Sequence, residues 1–69
     1  MNKLEAVIVT TKIASFTNDD DRVESYVVRG DKGFHVIFKD LDANEILPTV
    51  HIFQTESGAI EQARINANL

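Results

Sequence analysis

The fold is decided by residues 34–39, which read FHVIFK. Phe34, Val36 and Phe38 occupy every second position, and successive side chains of a strand point to opposite faces. The spacing therefore predicts a strand that turns those three side chains toward a core. The opposite face of the strand then carries His35, Ile37 and Lys39.

Turns and further strands flank this segment on both sides. Residues 30–33, GDKG, supply the glycines that a short hairpin loop needs, and residues 40–44, DLDAN, are typical of a second turn. Strands are expected at residues 22–29 and 45–53. Pro48 cannot donate to a sheet ladder, which predicts that the last strand is an edge strand or carries a bulge.

The second hairpin also suggests a register. If it closes around residue 43, Phe34 lies opposite Ile52 and Val36 lies opposite Val50, so that apolar side chains meet on the inner face. A slip by one residue would set apolar against polar side chains. We therefore expect these pairs.

A helix is predicted after the last strand. Thr55 is a suitable N-cap, Glu56 places an acid in the first turn, and the helix is expected to end near Asn66. Small side chains fall on one flank at 100° per residue, which predicts a close approach of helix to sheet. That flank carries Ala59, Ala63, Ala67 and Ile60.

The N-terminal segment is rich in β-branched residues, which predicts a long strand over residues 4–16, followed by a solvated loop over residues 17–21. The open edge of such a strand favours pairing with a second chain. Ile65 and Leu69 lie on the outer side of the predicted helix, four residues apart. The candidate interface residues are Val7, Val9, Ile65 and Leu69.

Length and composition favour a homodimer. The chain has 69 residues, enough for one small domain over 1–69, and its hydrophobic content of 43% is that of a folded protein. So short a chain buries little apolar surface, and the absence of cysteine excludes disulfides and thiolate metal sites. A second copy of the chain is the remaining source of stability.

The charge limits the classes of partner. The formal net charge is −4, and the basic residues are scattered along the sequence, so nucleic acid is an unfavourable partner. The apolar run at residues 6–11 is too short to span a membrane, and no leader pattern precedes it. We therefore expect a cytoplasmic protein with no membrane association.

No pattern in the sequence predicts chemistry. His35 and His51 would lie opposite each other on the outer sheet face in the register above, but a metal site needs a third ligand, and surface histidines are the better interpretation. The acidic run at residues 19–21 lacks the spacing of a calcium loop. We expect no catalytic residue, no metal and no cofactor, because neither an activated nucleophile nor a phosphate-binding loop is present.

Residues 26–67 resemble the βββα unit of the YegP-like small proteins. The resemblance is carried by Gly33-Phe34 at the start of the alternating strand, by residues 44–47, NEIL, and by Thr55 with the alanines that follow it. That family has no established function, so the resemblance implies a fold and transfers no site residues. Small proteins of phages and other mobile elements have a similar shape.

The sequence thus predicts an α+β domain, with a four-stranded, mostly antiparallel sheet packed on one C-terminal helix. The expected function is that of a non-enzymatic protein-interaction or regulatory module that forms a homodimer. The alternative is an acidic inhibitor of a nucleic-acid-binding protein, of phage or mobile-element origin. That alternative requires the acids of both turns to gather on one surface, namely Asp19, Asp20, Asp21, Asp40, Asp42 and Glu45.

Overall fold

The computed structural model describes residues 11–69, apart from the side chains of residues 48–50. This part of the chain is α+β, and an antiparallel sheet packs against one helix, as predicted. The described strands lie side by side in chain order. They are β1 (Lys12–Asn18), β2 (Val23–Arg29), β3 (Phe34–Asp40) and β4 (Glu45–Phe53), and the helix α1 spans Glu56–Asn66.

The core lies between the middle of the sheet and α1. Val27 on β2 and Val36 on β3 are fully buried and pack against Ala59 and Ala63 of the helix. Alanine has no side-chain atoms beyond Cβ, so the helix can approach the sheet closely. Val36 and Phe34 of the predicted inner face lie in this core with the predicted alanine flank, whereas Ile37, on the predicted opposite face of β3, is also buried. The partly buried side chains around this centre are Ile13, Phe16, Phe34, Phe53 and Ile60.

The start of α1 is capped as the sequence predicts. Thr55 has an extended backbone, with φ of −122°, and its Oγ1 accepts a hydrogen bond of 3.1 Å from the backbone N–H of Gly58. This bond satisfies one of the N–H groups that the first turn of a helix leaves without a partner. Glu56 places its carboxylate in the first turn, where the helix dipole favours a negative charge.

The predicted register of the second hairpin is wrong. Phe34 pairs with Phe53 and not with Ile52. Nearer the turn, Ile37 pairs with Pro48, so β4 contains two residues more than β3 between these two pairs. Pro48 predicted that this strand would be an edge strand or carry a bulge. In the described sheet, β4 is the last strand and its pairing with β3 is irregular.

The turn explains why the register differs. Residues 41–44 form a four-residue loop closed by Asp40 and Glu45, so the hairpin is centred half a residue earlier than expected. The extra residues of β4 then shift the pairing further along the strand. The predicted Val36–Val50 pair falls within this shift.

The first described strand extends further than predicted. The sequence placed a strand at residues 4–16 and a loop from Thr17, but β1 continues through Asn18, which pairs with Val23. The loop begins later because Asn18 Oδ1 accepts the backbone N–H groups of the turn, and the turn itself is only four residues long. Val7 and Val9 lie outside the described residues.

Candidate interaction surface

Large apolar side chains remain exposed on β4 and at the C-terminal end of α1. Ile46 is 48% exposed, Leu47 52%, Ile65 53% and Leu69 55%. Ile46 and Leu47 are neighbours on a strand and so point to opposite faces. Leu47 lies on the helix side, because it pairs with Phe38. Ile65 and Leu69 are exposed as the sequence suggested, and their role in an interface stays a prediction.

We call Gly58, Gln62 and Ile65 of α1, together with Leu69 beyond its end, the outer stripe. The three helix residues are spaced by four and three, which aligns them along one side of the helix, whereas Leu69 follows the left-handed Asn68 outside the helix. The buried alanines lie on a different side of the same helix. The helix therefore has two strips, and the one made mainly of alanine packs against the sheet together with Ile60.

An open groove runs between β4 and the helix. Its volume is about 440 Å³, and it is lined by His51, Phe53, Gln62 and Asn66. The His51 and Phe53 rings meet edge to face, with centroids 4.5 Å apart. Gln62 Nε2 donates a hydrogen bond of 2.8 Å to Asn66 Oδ1, which holds the two carboxamides together along the helix wall. The groove thus has an aromatic wall and a polar wall.

The end of the helix holds Leu69 in a defined position. Asn68 adopts a left-handed conformation, with φ of 63°, and its N–H donates to the Ile65 carbonyl at 2.9 Å. The N–H of Leu69 donates to the Arg64 carbonyl at 3.2 Å. These two bonds form a Schellman motif. The Arg64 guanidinium also donates to the Leu69 carbonyl oxygen, so the chain after the helix is tied back to the last turn.

An ion pair on α1 flanks the stripe. The Arg64 guanidinium donates to the Glu61 carboxylate, three residues earlier on an exposed side of the helix. This hydrogen bond and the Arg64 charge lower the pKa of Glu61, and the same contacts raise the pKa of Arg64. Both side chains are largely solvated, so the pair contributes little to stability.

The predicted arrangement of the two histidines is wrong. His35 pairs with Ile52 and lies on the sheet face away from the helix, whereas His51 lines the groove on the helix side. The one-residue difference from the expected register moved His51 to the other face, because the side-chain period of a strand is two. No group of three or more histidine, cysteine or acidic residues within residues 11–69 has the geometry of a metal site.

Acidic residues gather at one end of the sheet, which we call the acidic end. The β1–β2 turn and the β3–β4 turn both lie there, because the strands form a meander. Asn18 Nδ2 donates to the Ala67 carbonyl at 2.8 Å, so the C-terminus of α1, with its negative dipole end, lies there as well. The six acids of this end are Asp19, Asp20, Asp21, Asp40, Asp42 and Glu45.

Only part of this negative charge is compensated locally. Arg22 Nε lies 3.0 Å from Asp42 Oδ1, and both side chains are more than half exposed. Asp40 Oδ1 accepts the backbone N–H groups of Asp42 and Ala43, which shapes the turn. Within residues 11–69, the Asp19 and Asp20 carboxylates form no ion pair, so they add to the negative potential of this end.

A polar cluster that no sequence pattern predicted lies on the sheet face away from the helix. Lys12 Nζ and Ser15 Oγ donate to Glu24 Oε2 at 2.7 and 2.6 Å. Burial alone would raise the pKa of Glu24, but these bonds and the charges of Lys12 and Lys39 outweigh it and lower the pKa below its ordinary value of 4.5. Lys12 Nζ also lies 4.4 Å from the centre of the Tyr26 ring.

Comparison of the chain with family models, with curated proteins and with solved structures gave no match. The resemblance to the YegP-like small proteins therefore stays a prediction. Within residues 11–69, the one helix is neither long nor apolar enough to cross a membrane.

Proposed function

We propose that this protein is a small interaction module without catalytic activity and that it acts as a homodimer. The observation that carries the proposal is the exposure of Ile65 and Leu69 on the outer stripe, beside an open groove with an aromatic wall. Exposed apolar side chains that lie together on one surface are typical of protein interfaces.

The distribution of side-chain size across the helix supports the same proposal. The inner strip consists mainly of alanines, which bury little apolar area, while Ile65 and Leu69 are about half exposed to water. Fully burying one such side chain contributes about 1.5–3 kcal/mol. Covering both of them in each of two copies would therefore add substantial stability to a protein with a small core.

Sedimentation equilibrium tests the proposal. From about 1 μM to 1 mM, a range that spans weak to moderate affinities, the protein is expected to move from monomer to dimer. Ile65→Glu is expected to leave only monomer, because a charge would have to be buried. Ile46→Glu is the matched control, since Ile46 is similarly exposed but lies on the sheet face away from the helix. A wild-type protein that stays monomeric throughout overturns the homodimer.

A second candidate function is inhibition of a nucleic-acid-binding protein by the acidic end. The gathering of six carboxylates and a helix C-terminus at one end favours it, because a target that binds phosphates presents a basic surface of similar extent.

Displacement of DNA tests this candidate. A panel of purified basic DNA-binding domains is bound to a fluorescent duplex, and the protein is added at low and at physiological salt. Release of the duplex from at least one domain, weakened by salt, is expected. The triple variant Asp19→Asn, Asp20→Asn, Glu45→Gln should lose the effect, and the control Asp31→Asn, Glu56→Gln, at the opposite end, should keep it. Failure to release any duplex rejects the acidic inhibitor.

A further inference from the structure

We draw no further inference here: the strongest candidate, the open groove between β4 and α1 that is lined by His51, Phe53, Gln62 and Asn66, borders the surface already proposed as an interface, and nothing within residues 11–69 shows what covers it.

Discussion

The two apolar strips of α1 differ in a way that reverses the usual pattern. The strip that faces the sheet is built mainly from fully buried alanines, with a partly buried Ile60 beside them, whereas Ile65 and Leu69 on the outer stripe are about half exposed. In an ordinary amphipathic helix, the largest apolar side chains face the core. The difference indicates that close backbone approach holds this helix to its sheet, and that its larger apolar surface is available for another contact.

Enlarging the inner strip should have the largest effect. Ala63→Leu adds a branched side chain where no space exists, since Ala63 is fully buried against the valines of the sheet. The free energy of unfolding is expected to fall by about 1–3 kcal/mol. Urea denaturation at low protein concentration, where monomer dominates, measures this change.

The matched change on the outer stripe is Ile65→Ala, which should alter monomer stability by less than about 0.5 kcal/mol. Equal losses from the two variants would show that the outer stripe is part of the monomer's own core. That result would remove the contrast between the two strips.

The helix side of the sheet also contains a buried hydroxyl group whose removal should stabilise the protein. Ser25 is fully buried, and its Oγ has no hydrogen-bond partner among the described residues. An unsatisfied buried hydroxyl costs about 1–3 kcal/mol, so Ser25→Ala is expected to raise the free energy of unfolding by about 1 kcal/mol. Thermal unfolding by circular dichroism measures it. Ser57→Ala, at an exposed position, should change little, and a loss of stability in Ser25→Ala would indicate an unseen partner for the hydroxyl.

A small effect is also expected on the sheet face away from the helix. Because the folded pKa of Glu24 is lowered, its contribution is fully present above the unfolded value of about 4.5 and is lost as the pH falls from there through the folded pKa. Glu24→Gln should cost less than about 1 kcal/mol at pH 7 and should flatten the decline below pH 4.5. Urea midpoints from pH 7 to pH 3 measure this dependence, with exposed Glu45→Gln as the control. An unchanged pH profile would show that Lys12 and Ser15 do not stabilise the carboxylate.

The sequence predicted the features that have a regular period. Phe34, Val36 and Phe38 repeat every two residues, and Ala59, Ala63 and Ala67 repeat every four, so the inner faces of β3 and α1 could be identified without a structure. Thr55 could be identified because an N-cap has a local chemical signature. Each of these depends on residues that are close in the chain.

The features that sequence reasoning missed depend on pairings between strands. No local pattern indicates that the second hairpin is centred half a residue earlier than expected. This difference places His51 on the helix side of the sheet, where it lines the groove. Lys12 and Glu24 could not be paired before the register of β1 and β2 was known. The gathering of acids at one end likewise needed the strand order, which the sequence left open.

The turns of the described sheet have a consequence for the speed of folding. Each pair of neighbouring strands is joined by a loop of four residues, so no described strand has to find a distant segment of the chain. Short loops cost little closure entropy, and hairpins form in about 1–10 μs. A chain that unfolds transiently is therefore expected to refold its sheet quickly. Fast refolding shortens the time for which its β-branched segments are exposed and prone to aggregation.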